Sequence, residues 1–555
     1  MSKNLSELSG RQGLKNNMFD KMGQLAQERG TVSKEEMASL ADEFLFGQAN
    51  AFGTTTFYDF LKPENQGKKA YYCNGSACLC AGTQDKVKEE LGKHYQADEI
   101  GHMCCLGRCH ENSAFHIDGT NYSGADLDKL GELVNGDDDR EDQYNVRAEG
   151  TQVLTENFPG IQEYYAPLKS WLDRGRDELL KEIKDSGIRG RGGAGFPMGF
   201  KFEACKKEES DQKFIICNAD EGDPGAYSDR YLLEKQPHAV LLGMMVAGYI
   251  IGAEWGVLYI RAEYPESIDI IEKAIAELHE NNWLGESILG SSFNFQFKVI
   301  KAQGAYICGE ETALISSIEG QRPEVRVRPP YPVQRGLFNR PTVVNNVETL
   351  AAIPWIINNT GEKYAQLGTE RSSGTKLISL DHCFNKPGIY EVEMGTSLSH
   401  VVDGLGQGFS KGVKALHIGG PLGGLVPVDK IPALTVDFES FGKEGFLLGH
   451  ASVVGIPEDF PIIDYLEHLF DFAAYESCGK CFPCRLGTHR AWEMITKAKS
   501  ESYKIDRQLF DDLLETLEKG SLCAHGGGIP LPVKNALQYF ESELNEYFES
   551  PVLAQ

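Results

Sequence analysis

Ten of the fourteen cysteines fall in two clusters, six between Cys73 and Cys109 and four between Cys478 and Cys523. In a long chain whose polar N-terminus shows no export signal, clustered cysteines point to metal rather than to disulfides. The C-terminal set reads Cys478-x2-Cys481-x2-Cys484, followed by Cys523. Three thiolates at that spacing wrap one region of a cubane and a distant fourth completes it, which is the ligand pattern of a 4Fe-4S cluster. Zinc rarely needs three cysteines so close together. Gly479, Lys480 and Arg485 nearby supply N–H donors and positive charge to the sulfurs. The N-terminal set pairs Cys73-x4-Cys78 with Cys105-x3-Cys109. Two such pairs on loops flanking a helix present four thiolates to one site. Structural zinc more often uses a C-x2-C knuckle, so these spacings favour a 2Fe-2S cluster, with zinc and unrelated buried cysteines as the alternatives. Cys80 and Cys104 are left over, and either is an alternative ligand.

A second chemistry is written into residues 187–201. Five of the nine residues from Gly187 to Gly195 are glycine, with Arg189 and Arg191 among them and Lys201 shortly after. Glycine lets backbone N–H groups converge on an anion without a Cβ in the way, and the cations suit phosphate. A flexible linker fits less well, because an amphipathic helical pattern (176–186) precedes the stretch and a buried strand (214–217) follows it. Nor is this the dinucleotide fingerprint, which opens a helix directly after a strand. Three further loops carry polar residues at the ends of expected strands or the starts of helices. Residues 218–225 (Asn-Ala-Asp-Glu-Gly-Asp-Pro-Gly) offer short acids to sugar hydroxyls or form a bare exposed turn. Residues 304–312 bracket Glu310 and Glu311 with glycine, and residues 341–349 place Asn345 and Asn346 before a helix. Taken alone, the last two are as well explained by helix capping and the helix dipole.

The elements that must position these groups are legible in outline. Residues up to about 70 carry helical periodicity, with Ser33 and Glu36 as a capping box, and read as a small bundle closed by Phe57-Tyr58-Asp59-Phe60. The acidic run 135–142 reads as a solvated linker. From about 161 to 359, strands at 214–217, 257–260 and 297–300 alternate with helices at 237–251 and 266–281, giving α/β character with a mainly parallel sheet. Ligands in such sheets sit at the carboxyl ends of the strands. Residues 374–455 change to short β-like runs and Gly-Pro turns, and from Asp464 the chain is helical again. The net charge is −26 and the pI about 5.0, which argues against nucleic acid and anionic membrane as partners. The longest apolar run, 239–253, is short for a membrane span and reads as a buried helix. The expected location is cytoplasmic.

On these motifs the chain closely resembles, from about residue 163 to about residue 544, the NADH-oxidising flavoprotein subunit of respiratory complex I, a module also found in NAD-linked hydrogenases and formate dehydrogenases. The matching stretches are 187–196, 218–225, 304–314 and 341–350, with the four C-terminal cysteines in order. Residues from about 15 to about 130, including Phe57-Tyr58 and both cysteine pairs, resemble that complex's small thioredoxin-like 2Fe-2S subunit, here fused to the rest. The resemblance implies an α/β multidomain chain. Its parts are a helical segment (1–70), a thioredoxin-like 2Fe-2S domain (71–135), a Rossmann-like FMN/NAD(H) domain (150–365), a β-grasp, SLBB-like domain (372–456) and a helical bundle with a 4Fe-4S cluster (460–555).

It further implies that Gly190, Arg191, Gly192, Lys201, Asn218, Asp220, Asn345, Asn346 and Thr349 hold the phosphate and ribityl of FMN. The isoalloxazine would lie by Tyr306, Gly309 and Glu310. Phe196 would stack under the adenine of NAD(H), and Glu221 and Glu311, the implied catalytic residues, would stand near the ribose or nicotinamide. The implied activity is an NADH:acceptor oxidoreductase (diaphorase) subunit of a multisubunit complex, with an iron–sulfur electron-transfer subunit and a hydrogenase, formate dehydrogenase or similar subunit as partners. The alternative is an electron-bifurcating flavin subunit that adds ferredoxin in a hydrogenase, formate dehydrogenase or acyl-CoA reductase complex. A zinc-stapled, non-catalytic scaffold is a reading from another class. Three positions depart from the family pattern. Asp223 stands where relatives have glutamate, Arg328 where many have lysine, and Ala204 where some have a second adenine-stacking aromatic.

Overall fold

The computed structural model describes residues 13–29, 32–134, 143–500 and 502–549, and the acidic run 135–142 lies outside them. Among the described residues, fourteen strands form three sheets. The first contains β1 (Ala70–Cys73), β2 (Ile100–Met103), β3 (Phe115–Ile117) and β4 (Thr120–Tyr122) in the order β2-β1-β3-β4. β1 runs parallel to β2 and antiparallel to β3, and helices Ser76–Ala81 and Gln84–Leu91 fill the crossover between β1 and β2. Asp118 and Gly119 both have positive φ (48° and 84°), the requirement of the tight turn that joins β3 to β4.

β5 (Val146–Glu149) does not belong to that sheet. It pairs with a strand near residue 390, as described below. β6 (Phe214–Ala219), β7 (Trp255–Arg261), β8 (Gln296–Ala302) and β9 (Thr342–Asn346) form the second sheet, order β8-β7-β6-β9, with every pairing parallel. Alternation along a strand sends successive side chains to opposite faces, and both faces here are covered. Ile215, Cys217, Leu258 and Ile260 pack against the apolar helix Pro237–Ile251. Phe214, Ile216, Val257, Tyr259 and Ile300 pack against the N-terminal helices Met18–Arg29 and Lys34–Phe44. The N-terminal helices are therefore not a bundle of their own but one layer over the parallel sheet. Tyr58 fixes that layer, its hydroxyl donating to Ser317 Oγ at 2.8 Å and its ring meeting Phe19 at 5.0 Å.

The third sheet is mixed, with β10 (Thr375–Leu380), β11 (Gly388–Glu393), β12 (Val413–Ile418), β13 (Gly424–Pro427) and β14 (Ser452–Pro457) in the order β13-β12-β14-β10-β11-β5. The segment after the first sheet thus supplies the edge strand of the third, pairing Val146 with Ile389. Helices Ile462–Tyr475, Phe482–Ser500, Arg507–Gly520 and Pro530–Tyr539 make the C-terminal region. Among the described residues no helix is long and apolar enough to cross a membrane. The apolar run predicted to be buried is the helix Pro237–Ile251, started by proline at its first turn and stopped by Gly252 at φ 84°. Gly243 lets it approach the next helix, since a Cβ there would fall 1.9 Å from the Leu350 carbonyl oxygen.

Candidate functional site

The loops flanking β1 and β2 bring four thiols together. Cys73, Cys78, Cys105 and Cys109 are all buried, and Cys105 Sγ lies 3.3 Å from Cys109 Sγ. Hydrogen bonds with Cys109 and then Cys73 hold the Cys105 thiol well below its ordinary range, while Cys73, bonded to Cys105 and Cys78, is pushed up. Three backbone N–H groups donate to these sulfurs, Gly75 to Cys73 at 3.4 Å, Gly107 to Cys105 at 3.4 Å and Gly225 to Cys109 at 3.2 Å. A converging set of thiols with N–H donors suits a thiolate-ligated cluster that carries net negative charge. Cys80 and Cys104 lie outside the hydrogen-bonded thiols. Cys80 is buried near Asp381 and Lys411, and Cys104 offers its carbonyl, not its sulfur, to a neighbour.

The second thiol set forms where helix Phe482–Ser500 begins. Cys478, Cys481 and Cys484 wrap the turn, with Gly479 at φ 76°. Cys523 caps the short helix Ala524–Gly528. Gly526 allows that approach, since a Cβ there would meet Cys484 Cβ at 2.7 Å. Burial first, and then the neighbouring thiols among other groups, pushes Cys484 up to about 11. Burial raises Cys523 to about 12, with Cys478 and Cys484 contributing. Ionising Cys484 and Cys523 in this half-buried turn is costly without a positive partner, which metal–thiolate bonds would supply.

Between the two sets, the glycine-rich loop closes over the carboxyl ends of β6 and β9. Gly190 N–H donates to the Phe196 carbonyl at 2.9 Å, and Arg191 N–H donates to Thr349 Oγ1 at 2.9 Å. Arg189 staples the loop to the third sheet's module, donating to the Gly195 carbonyl and to Glu439 Oε1 at 2.6 Å each. Arg191 is buried, one Nη donating to Ser373 O at 2.6 Å, whereas its Nη1 has no partner among the described residues. Asn345 Nδ2 is likewise buried and unpartnered. Orphaned donors are costly to bury, so a loop that gathers them fits an anionic, oxygen-rich group. Lys201 Nζ donates to the Val344 carbonyl at 2.5 Å and reaches Glu311 at 3.4 Å. Arg328 also pairs with Glu311, at 3.2 Å. Phe196 and Phe200 stand exposed with their ring centroids 5.7 Å apart.

Other expected site residues are committed to the protein itself. Asn218 Nδ2 donates to the Gly309 carbonyl at 2.8 Å. Glu310 caps helix Glu311–Ile318, accepting from the N–H groups of Thr312 and Ala313 at 2.9 Å each. Asn346 caps helix Val347–Ala351 and donates to Asp229. Tyr306 donates its hydroxyl to Asp223 at 2.8 Å and its N–H to Glu476 at 2.8 Å. Asp220 is buried, and its carboxyl is raised well above the usual range by that burial. Glu221 is buried. It sits in the left-handed region (φ 24°), and its carboxylate accepts from the N–H groups of Asp229 at 2.7 Å and Arg230 at 3.0 Å and from the Tyr264 hydroxyl at 3.2 Å.

Sequence reasoning missed what the third sheet's module contributes. Gly420 lies against Asp223, where a Cβ would fall 2.3 Å from the carboxyl carbon. His450 is buried with its Nε2 3.2 Å from Asp229 Oδ2 and 3.9 Å from Glu221 Oε1, and its Nδ1 has no partner. Both residues lie far along the chain from their partners, His450 standing 221 positions from Asp229, and a lone histidine carries no spacing signal. Burial pulls His450 down, but Asp229 outweighs it, helped by Glu221, and holds the imidazole at about 9. A displacement from an ordinary 6.5 to about 9 corresponds to about 3 kcal/mol. Because the folded value lies above the unfolded one, that stabilisation is complete below pH 6.5 and is lost as the pH rises through about 9. Glu221, raised to about 7 by burial first and Asp229 second, adds a limb of the same sign at lower pH. The unfolding free energy of the wild type therefore falls more steeply between pH 6.5 and 9 than that of His450→Gln, as chemical denaturation at the two pH values will read. Equal slopes would dispose of the imidazolium.

Three family models match the chain. They are the Nuo51 FMN-binding domain at residues 183–355, the NADH-ubiquinone oxidoreductase-F iron-sulfur binding region at 464–547 and the thioredoxin-like 2Fe-2S ferredoxin at 6–136. The F 2 subunit of NADH-quinone oxidoreductase of Rhizobium meliloti (strain 1021) is 40% identical over 376 residues, covering 67% of this chain and 89% of the relative. NAD-reducing hydrogenase HoxS subunit alpha of Cupriavidus necator is 32% identical over 559 residues, covering 94% and 90%. A crystal structure of NAD+-reducing NiFe-hydrogenase in the H2-reduced state contains a chain that superposes with a TM-score of 0.83 at 28% identity, over 97% of this chain and 95% of that one. The chain belongs to the family of NADH-quinone oxidoreductase F subunits, with the thioredoxin-like 2Fe-2S domain carried on the same polypeptide.

Proposed function

We propose that the polypeptide acts as the diaphorase unit of a larger redox complex, exchanging hydride between NAD(H) and FMN and passing single electrons to iron–sulfur clusters. The observation that carries this reading is the placement of one anion-cradling loop, with its orphaned Arg191 and Asn345 donors, between two separate sets of four thiols. FMN supplies the conversion between two-electron and one-electron chemistry, and the clusters supply one-electron transfer. The bifurcating alternative is not favoured, since the relatives are named as NADH-quinone oxidoreductase and NAD-reducing hydrogenase subunits.

The residues divide the work of holding these groups. Gly190, Arg191, Gly192, Lys201, Asn218, Asp220, Asn345, Asn346 and Thr349 are read as the FMN cradle, with Tyr306, Gly309 and Glu310 beside the ring system. Phe196 offers a face for the adenine. Glu311, which pairs with both Lys201 and Arg328, is read as meeting the nucleotide. Glu221 we read as shaping the loop, because its carboxylate is already saturated by two amides and a hydroxyl. Cys73, Cys78, Cys105 and Cys109 would ligate the 2Fe-2S cluster, and Cys478, Cys481, Cys484 and Cys523 the 4Fe-4S cluster. The second and third sheets are read as a Rossmann-like FMN/NAD(H) domain and a β-grasp, SLBB-like domain. An iron–sulfur subunit and a hydrogenase-type or similar catalytic subunit are the partners this assembly calls for. We read the location as cytoplasmic, since clustered cysteines in a chain of this kind point to metal rather than to the disulfides of an exported protein.

Anaerobic NADH titration of the full chain loaded with FMN and iron tests the reading. NADH is expected to bleach the flavin absorbance and to bring up two distinct paramagnetic iron signals. Cys523→Ala is expected to abolish the 4Fe-4S signal and leave flavin bleaching intact. A wild type that holds FMN and iron but is not reduced by NADH would refute the assignment.

A further inference from the structure

Arg261 stands between the flavin-side loop and the 2Fe-2S loop. It ends β7, at the carboxyl edge of the parallel sheet, and is 3% exposed. Its Nη1 donates to the Glu221 carbonyl at 2.7 Å, while its Nη2 donates to the Cys104 carbonyl at 3.1 Å and to Glu263 Oε1 at 2.7 Å. One planar fork thus spans a backbone oxygen in the 218–225 loop and another in the residue next to Cys105. The Tyr264 ring lies under the guanidinium at 4.9 Å, and its hydroxyl donates to Glu221. The same ring seats the Cys105–Cys109 loop, since it lies 2.7 Å from where a Cβ on Gly107 would be. From the other side, the Gly225 N–H donates to Cys109 Sγ. Arg261, Tyr264 and Gly225 therefore tie one loop to the other at three points.

We propose that Arg261 is a positioning residue that locks the flavin-side loop to the 2Fe-2S loop and whose fixed positive charge raises the reduction potential of the cluster held by Cys73, Cys78, Cys105 and Cys109. The proposal rests on the reading of those four cysteines as ligands. Reduction adds one negative charge to the cluster, and a buried cation nearby favours the reduced form because the low-dielectric interior screens it weakly. The guanidinium does not deprotonate, so the charge is permanent. Glu263, 5% exposed at its side chain and paired to the same Nη2, acts with the opposite sign. Removing the two charges one at a time must then move the potential in opposite directions, which mere loosening of the interface would not do.

The test is an anaerobic redox titration of the full chain with FMN and both clusters loaded, followed by the paramagnetic signals of the two clusters. Arg261→Gln is expected to lower the 2Fe-2S midpoint by about tenfold in the reduction equilibrium, about 59 mV for one electron. Glu263→Gln is expected to raise it by a similar factor, and Arg261→Lys, which keeps the charge, to stay within about twofold of the wild type. The 4Fe-4S midpoint should not move in any of the three. Shifts of the same sign in Arg261→Gln and Glu263→Gln, or no shift in either, would overturn the proposal. Should Arg261→Gln fail to fold, Glu263→Gln decides alone, an upward shift supporting the proposal and an unmoved midpoint refuting it. Absence of any 2Fe-2S signal from the wild type would instead overturn the ligand assignment, and the proposal with it.

Discussion

Lys376→Met is expected to destabilise the protein by about 3–5 kcal/mol, the cost of stranding a buried charge. Lys376 in β10 and Glu348 in helix Val347–Ala351 form an ion pair with both side chains fully buried. The pair is completed by backbone groups, Lys376 Nζ donating to the Leu377 carbonyl at 3.0 Å and Leu377 N–H donating to Glu348 Oε1 at 3.0 Å. It joins the third sheet to the helix that carries Thr349, the residue that receives the Arg191 N–H. Loss of the ammonium leaves a carboxylate with no counter-charge in the contact between them. The melting temperature should fall by roughly 3–4 °C for a chain of 555 residues that melts as one unit, and FMN should be held less well because the loop loses its footing. Adding Glu348→Gln in the same chain removes the stranded charge while keeping an acceptor for Leu377, and should recover most of the loss. A double variant no more stable than Lys376→Met would show that the pair's packing, rather than its charge, is what the single variant removes.

How much of this was legible follows from where the signals sit. The two thiol sets stood out because most of their cysteines fall at short spacings, and those spacings favour cluster chemistry over a zinc knuckle without excluding zinc. The glycine loop stood out because five glycines with cations have few other uses, and the alternating strands between residues 214 and 300 gave away the parallel sheet, although its fourth strand, Thr342–Asn346, reads in the sequence only as a loop before a helix. The partnerships across distant stretches were not readable. Lys376 with Glu348, His450 with Asp229, and Arg261 with the Cys104 carbonyl each join residues whose separate types are ordinary, so no local pattern announces them. Arg261 alone had an available clue, its position at the carboxyl end of a strand in a parallel sheet, where such folds place their chemistry. β5 shows the same limit in backbone terms. Its four residues pair with a strand formed far later in the chain, and nothing in Val146–Glu149 names that partner. Glu221 shows what a resemblance leaves out: it implies a place near the nucleotide, and the structure adds that the left-handed turn at this position aims the carboxylate at the N–H groups of Asp229 and Arg230. The N-terminal helices carried an apolar face that any partner surface would satisfy, and the surface turned out to be the alternate face of β6, β7 and β8.

Gly192→Val is expected to weaken FMN binding by at least about 100-fold while leaving the fold in place. Gly192 is exposed and its φ is not in the left-handed region, so valine meets no backbone penalty there. What it meets is Asn346, whose Cβ would lie 2.9 Å and whose Cγ 3.4 Å from the new Cβ. Asn346 has little room to yield, because its side chain caps helix Val347–Ala351 and donates to Asp229. The loop must therefore lift, and its N–H groups move away from the unpartnered Asn345 donor with which they would converge. Two charge-assisted hydrogen bonds to a phosphate are together worth about 3 kcal/mol or more, which sets the size of the loss. Melting of the apoprotein reads the fold and should change by less than about 1 kcal/mol, as for an exposed site. Quenching of flavin fluorescence on titration with apoprotein reads the binding. If Gly192→Val takes up FMN within about threefold of the wild type, the glycine-rich loop does not hold the phosphate, and the orphaned donors beneath it must serve some other group.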